Sequence, residues 1–179
     1  PDYAPLVLLN AALGGQFVSR INLKLREEKG YTYGARTGFD WRKGPGTFSL
    51  EASVETRVTG EAITDALGEL AAIRGERPVT AAELDLAKDS LTRGYSRNFE
   101  TAGQVARSVA QLALYDLPDA YFEEFVPRVR AVTGDEVTRV ALQHLDPARL
   151  ATVVVGDRSA IGEVLAGLGM GVPTELGTE

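Results

Sequence analysis

The 179-residue sequence contains no cysteine and a single histidine, His144. Without cysteine the chain has no disulfides, thiolate metal sites, iron–sulfur clusters or thiol nucleophile, and its redox compartment stays open. A catalytic zinc usually takes three protein ligands, of which two or three are commonly histidine, so this chain alone cannot build such a site. A G-x-S-x-G motif is also absent. We therefore expect no hydrolysis by this chain alone.

An excess of basic residues is lacking too. The 25 acidic residues outnumber the 19 lysines and arginines and give a net charge of −6. Because no positive field attracts phosphate backbones, we do not expect a nucleic-acid partner. No apolar stretch approaches the roughly 18 residues that cross a bilayer, so no membrane-spanning segment is expected.

The composition, 44% hydrophobic and 25% charged, fits one globular domain, which we place over residues 1–179. The sequence starts at Pro1 without a charged region followed by an apolar run, so we expect a domain excised from a longer chain. The compartment is left open between the cell envelope or periplasm and the cytoplasm.

Helical spacing dominates the first 30 residues. Leu6, Leu9 and Leu13 recur on one helical face after Asp2, until Gly14-Gly15, which predicts a turn with positive φ. A second helix is then predicted, and its buried face consists of residues spaced four apart, namely Phe17, Ile21 and Leu25. Gly30 is expected to end it.

The period changes to two at Tyr31. Alternation from Tyr31 to Trp41, the turn Gly44-Pro45-Gly46 and a second alternating run from Phe48 to Val54 predict an antiparallel hairpin. One face of this hairpin should lie on the core.

Three capping boxes mark later helices, each with Thr followed three residues on by Glu or Gln: Thr80/Glu83, Thr101/Gln104 and Thr133/Glu136. The run Leu150–Asp157 is short, β-branched and apolar, which predicts a central strand. Together the patterns predict an α+β fold in which an antiparallel sheet is covered on one face by helices.

The motif LREEKGYTYG, Leu25–Gly34, carries a family resemblance, together with Leu13–Arg20. Both segments resemble the insulinase/pitrilysin class of zinc metallopeptidases, in particular its bacterial branch similar to the mitochondrial processing peptidase. Later landmarks agree, including Val153–Asp157. In that class two similar α+β halves close around a peptide substrate, and one half carries HxxEH and the zinc. This chain resembles the other half, the inactive domain.

The resemblance implies that Arg26 and Tyr33 face the zinc of the HxxEH half and orient the scissile peptide, so this chain itself holds no metal or other cofactor. A guanidinium with five donors and a phenol hydroxyl suit a peptide carbonyl and the oxyanion formed from it. On residues alone, Tyr33 also fits an ordinary strand position and Arg26 a solvated helix charge. Tyr31 and Arg20 are weaker substrate-binding candidates, since Tyr31 also fits a core position and Arg20 an ion pair with Glu27 or Glu28.

The expected partners are an HxxEH-bearing domain or subunit and a peptide. One alternative is a scaffold domain with an unused cleft, as in core subunits of respiratory complexes, and another is a free-standing peptide-binding module. In the family an additional strand usually precedes the position of Asp2-Tyr3. If it is missing here, an open sheet edge would allow pairing with a second copy.

Overall fold

Helices make up most of the structure, a computed structural model that describes residues 2–177. The fold is α+β, as predicted: one two-stranded antiparallel sheet lies among the helices. The elements are α1 (Tyr3–Leu13), α2 (Arg20–Asn22) continued by a π-helix (Leu23–Glu28), β1 (Thr32–Phe39), β2 (Phe48–Val54), α3 (Thr59–Ile73), α4 (Ala81–Thr92), α5 (Ala102–Tyr115), α6 (Tyr121–Ala131), α7 (Gly134–His144) and α8 (Arg158–Gly167).

Helix α1 lies at the centre of the core. Seven of its 11 residues are buried, including Leu6, Leu9 and Leu13. Its neighbours in the core are residues of α3, α4, α6 and α7 and of β1. A helix that is apolar on most sides has to be covered on most sides, which explains its central place.

The loop after α1 differs from the prediction. Helix α2 begins only at Arg20, so Ile21 and Leu25 are buried as expected, but Phe17 lies outside the helix and is 64% exposed. Gly14 has φ −163° rather than a positive φ. A Cβ at Gly14 would lie 2.7 Å from Thr37, so close approach of β1 explains the glycine.

The hairpin forms where the alternation predicts it. Antiparallel pairing joins Thr32 to Val54 and Phe39 to Phe48. Ala35 and Thr37 are buried, while Phe39 and Phe48 are half-buried and pack against the core. The hairpin therefore has one face on the helices.

All three predicted capping boxes are present. In each one, the threonine hydroxyl accepts a hydrogen bond from the backbone N–H of the Glu or Gln three residues later, and that side chain accepts from the threonine N–H. These contacts lie within one helical turn. Local sequence is therefore enough to predict them.

The predicted central strand Leu150–Asp157 was wrong. Among the described residues this segment pairs with no strand, and Val153 and Val155 are 73% and 95% exposed. A strand that is apolar on both faces needs neighbouring strands and covering helices, and within residues 2–177 this segment does not pair with the hairpin. Within residues 2–177 no helix has the length and apolarity to span a membrane.

Candidate functional site

Arg26 lies in the last turn of the π-helix Leu23–Glu28. The wider turn is visible at Lys29, whose backbone N–H donates to the carbonyl of Lys24, five residues back, at 3.1 Å. Such turns are rare and occur often at functional sites. The extra residue in the turn changes the direction in which the side chains that follow it leave the helix axis.

Gly30 then reverses the chain. Its φ is +65°, in the left-handed region that favours glycine. Its N–H donates to the Arg26 carbonyl at 3.1 Å, and the Tyr31 N–H donates to the Leu25 carbonyl at 2.8 Å. The start of β1 is thereby fixed against the helix end that carries Arg26.

Tyr33 leaves β1 at an irregularity of the sheet. Between the pairs Thr32–Val54 and Ala35–Ala52, two residues of β1 lie opposite one residue of β2, which is a β-bulge. Strict alternation would place Tyr33 on the face of buried Ala35, yet Tyr33 is 94% exposed. The bulge therefore turns the Tyr33 side chain out to the surface.

The Arg26 guanidinium lies beside two aromatic rings. Its Cζ atom is 4.2 Å from the centre of the Phe17 ring and 5.6 Å from that of Tyr33. Its Nη1 atom is buried without a hydrogen-bond partner, although it lies 3.3 Å from Glu27 Oε1. No described residue accepts a hydrogen bond from Arg26, and of its three nitrogens Nη1 is buried.

Asn22 fixes this arrangement, and the sequence analysis missed it. The side chain is buried; its Nδ2 donates to the Ala35 carbonyl at 2.7 Å, and its Oδ1 accepts from the Ala35 N–H at 2.8 Å. Nδ2 also lies 3.2 Å from the Gln16 carbonyl. One amide therefore joins the helix, the strand and the loop that carries Phe17. The position of Asn22, a polar residue next to buried Ile21, was the sequence signal that could have identified it.

Arg20 has a different environment. Its guanidinium donates to both oxygens of Glu83, at 2.6 and 2.7 Å, and to the carbonyls of Arg77 and Pro78. Hydrogen bonds to the Glu83 carboxylate, first from Arg20 and then from Thr80, lower the pKa of Glu83 to about 2. The sequence suggested Glu27 or Glu28 as the partner of Arg20, but the partner is Glu83. The contacts of Arg20 tie α2 to the segment before α4, and a substrate-binding role for it stays a prediction.

Tyr31, the other substrate-binding candidate, is half-buried and packs against the core. Its carbonyl accepts a hydrogen bond from the Glu55 N–H at 3.2 Å. This is the position of a residue that supports the sheet. Its role toward a substrate also stays a prediction.

Tyr33 lies on open surface, and Arg26 is half-buried beside it. A cleft of about 800 Å³ runs along one side of the helical segment from Arg20 to Glu28, and neither Arg26 nor Tyr33 is among the described residues that line it. A group held between Arg26 and Tyr33 would need a second surface to cover it.

No donor set for a metal is found in residues 2–177, where no three side chains of His, Cys, Asp or Glu come together in a way that could hold an ion. His144, the single histidine, contacts Asp2 instead, with 3.2 Å between Nε2 and Oδ2. Hydrogen bonds from Arg139, and then His144, lower the pKa of Asp2. The described residues therefore do not fit a catalytic zinc.

Comparison with known structures shows where this fold occurs. The peptidase M16 inactive domain from Pseudomonas fluorescens is 26% identical to the chain, with a TM-score of 0.75 over 82% of the chain and 35% of that protein. A protease from Helicobacter pylori is 19% identical, with a TM-score of 0.72 over 82% and 35%. The inactive peptidase domain of a candidate zinc protease from Bordetella parapertussis is 19% identical, with a TM-score of 0.70 over 82% and 79%.

The chain thus spans about a third of the length of the first two of these proteins. A comparison with curated protein sequences finds no match. The family model described as the peptidase M16 inactive domain matches residues 1–91, just over half of the chain, and includes Arg26 and Tyr33. The chain therefore belongs to the peptidase M16 inactive-domain family.

Proposed function

We propose that this chain is the substrate-orienting, non-catalytic half of a two-part zinc metalloendopeptidase. The zinc and its HxxEH motif lie on a partner domain or subunit, and a peptide lies between the two halves. One observation carries the proposal: an arginine with uncommitted donors lies 5.6 Å from the ring of a tyrosine that is almost fully exposed. Membership of an inactive-domain family agrees with this division of work.

The chemistry of the two side chains suits a peptide carbonyl. The Arg26 guanidinium presents donors in a fixed plane, and the Tyr33 hydroxyl adds one donor that can rotate. Donors that are already in place lower the barrier most where negative charge develops on the carbonyl oxygen, because they need no reorganisation as the reaction proceeds. When bound to the partner half, zinc supplies the polarisation of the carbonyl and the activation of water.

The open position of the pair also supports a two-part enzyme. Tyr33 is 94% exposed, so in this chain alone water competes for its hydroxyl. A facing half that excludes water would strengthen each hydrogen bond to the substrate. We therefore expect no peptidase activity from this chain by itself.

The test uses the complete peptidase, in which this chain is assembled with its HxxEH-bearing half and zinc. Turnover of a mixture of quenched fluorescent peptides is compared for wild type, Arg26→Ala and Tyr33→Phe. Loss of one oxyanion donor costs on the order of 10²-fold in kcat, and we expect a loss of this size in each variant. Arg36→Ala is the matched control, because Arg36 lies on the same strand but pairs with Glu51 across the hairpin.

Unchanged turnover in Arg26→Ala and Tyr33→Phe would overturn the proposed role. The result would favour the scaffold alternative, in which the fold persists and the cleft is not used. Cleavage of peptides by the isolated chain would contradict the two-part assignment itself.

A further inference from the structure

Phe17 is an exposed aromatic residue in the loop between α1 and α2. The sequence pattern placed it in the core, but 64% of the residue is accessible to solvent. An exposed phenylalanine is not unusual by itself. What distinguishes this one is its contact: its ring centre is 4.2 Å from Cζ of Arg26, closer than the ring of Tyr33.

Few polar contacts hold the Arg26 side chain, although only 27% of it is exposed. Within residues 2–177 its guanidinium makes no hydrogen bond, and Glu27, its one charged neighbour within 4 Å, has a side chain that is 55% exposed. A solvated carboxylate of this kind holds an arginine only weakly. The face of the Phe17 ring, 4.2 Å from Cζ, is thus a contact that can fix where the guanidinium lies.

The type of contact matters for what Arg26 can do. A guanidinium on an aromatic face uses the plane of the group, and its N–H edges stay available. A carboxylate hydrogen-bonded to both nitrogens would instead occupy those edges; Glu27 Oε1 lies 3.3 Å from Nη1 but makes no hydrogen bond there. Stacking therefore positions an arginine and still leaves it able to bind a carbonyl oxygen.

The loop that carries Phe17 is itself held at both sides. The Gly15 N–H donates to the Asn10 carbonyl at 2.7 Å, and Asn22 Nδ2 donates to the Gln16 carbonyl at 3.2 Å. Ser19, just before α2, is buried. An exposed ring on a fixed loop can define a position, which a ring on a free loop cannot.

We infer that Phe17 is a positioning residue, whose ring face holds the Arg26 guanidinium beside Tyr33 and leaves Nε and Nη2, the donors that are not buried, for a substrate carbonyl. The catalytic consequence rests on the proposed function, but the contact itself does not. The two are therefore tested by different measurements.

The first measurement is NMR of the side-chain Nε–H and Cδ–H resonances of Arg26 in this chain. Protons over an aromatic face are shifted upfield by the ring current. Phe17→Leu keeps a large apolar side chain but removes the ring, and we expect these resonances to move towards their positions in an unfolded peptide. Phe17→Tyr should retain the upfield shift. Val18→Ala is the matched control, since Val18 is the neighbouring exposed apolar residue. Unchanged Arg26 resonances in Phe17→Leu, with a folded amide spectrum, would overturn the inference.

The second measurement is kinetics of the complete peptidase. We expect Phe17→Leu to lower kcat roughly twofold to fivefold, the fold-change of one ring–cation contact, with little change in KM. Phe17→Tyr should restore the rate. In an Arg26→Ala background, Phe17→Leu should have no further effect, because the residue acts through Arg26.

The kinetic outcomes separate the two ideas. If Phe17→Leu lowers kcat by the same factor with Arg26 already removed, or leaves kcat unchanged while Arg26→Ala abolishes turnover, the positioning role is overturned. If Arg26→Ala keeps full activity while the NMR shift depends on Phe17, the proposed function fails and the contact stands.

Discussion

Arg20 and Arg26 lie at opposite ends of the same helical segment, yet their surroundings are opposite. Arg20 is 9% exposed and donates hydrogen bonds to Glu83 and to two backbone carbonyls. Arg26 lies against two rings, and within residues 2–177 it makes no hydrogen bond. The first guanidinium is part of what holds the fold together. The second lies beside two rings without a hydrogen bond, which is the arrangement that the proposed role of Arg26 requires.

The largest expected effect follows from removing Arg20. Breaking a buried ion pair typically costs 3–5 kcal/mol, and since Glu83 is partly solvated we expect Arg20→Ala to lower the free energy of unfolding by about 3 kcal/mol. Urea denaturation followed by circular dichroism measures this. Lys24→Ala is the control, because Lys24 pairs with Glu28 on the surface of the same segment and its loss should cost far less. Equal losses in the two variants would contradict the distinction.

The same network predicts how stability depends on pH. Hydrogen bonds from Arg20 lower the pKa of Glu83 from its ordinary 4.5 to about 2. The charged form is favoured in the folded state, so its contribution is complete above about pH 4.5 and is lost as the pH falls from there towards 2. We expect unfolding free energies between pH 6 and pH 2.5 to fall less steeply for Glu83→Gln than for wild type. Parallel curves for the two proteins would show that this carboxylate is not coupled to folding.

Gly30 offers a smaller test at the Arg26 end. Its φ of +65° suits glycine, and a non-glycine residue in this conformation costs roughly 1 kcal/mol. Gly30→Ala should lower the free energy of unfolding by that amount, as measured by thermal denaturation, although a Cβ there would meet no atom within 4 Å. Gly38→Ala is the control, because a Cβ at Gly38 also meets no atom within 4 Å but Gly38 lacks a positive φ. The difference between the two variants therefore reports the backbone conformation of Gly30. A Gly30→Ala protein as stable as Gly38→Ala would show that the turn is not strained.

Arg26→Ala should have the smallest effect on stability. It removes ring contacts that are worth about 0.5–1 kcal/mol at an exposed site, and it also removes a buried nitrogen that has no partner. We expect the free energy of unfolding to change by less than about 1 kcal/mol. Chemical denaturation of Arg26→Ala beside Arg20→Ala measures the contrast directly. A loss as large as that of Arg20→Ala would make Arg26 a structural residue as well.

Local signals explain what the sequence could predict. A capping box needs only residues within one turn of helix. The box of Thr80 with Glu83 and the two later boxes could therefore be predicted from the sequence. The approach of Arg26 to Tyr33 was also predictable, because a helix end, a glycine and a strand start follow each other directly. The role of the pair in catalysis stays a prediction.

Contacts across long stretches of chain explain what was missed. The partner of Arg20 is 63 residues away, and no periodicity points to Glu83. The spacing of Phe17 matches a buried helical face, but the helix begins three residues later. Leu150–Asp157 has the composition of a central strand, but no strand among the described residues pairs with it. Composition states what a segment prefers, whereas burial depends on what else is present.

The exposed run from Leu150 to Val155 has a practical consequence for work with the isolated chain. It is six residues long and carries three adjacent valines, with no charge, proline or glycine. Segments of this kind stack readily into cross-β aggregates when they are left unpaired. We therefore expect concentrated solutions of the chain to aggregate through this segment and become turbid. Val153→Lys should slow this aggregation, because a charge interrupts the apolar run.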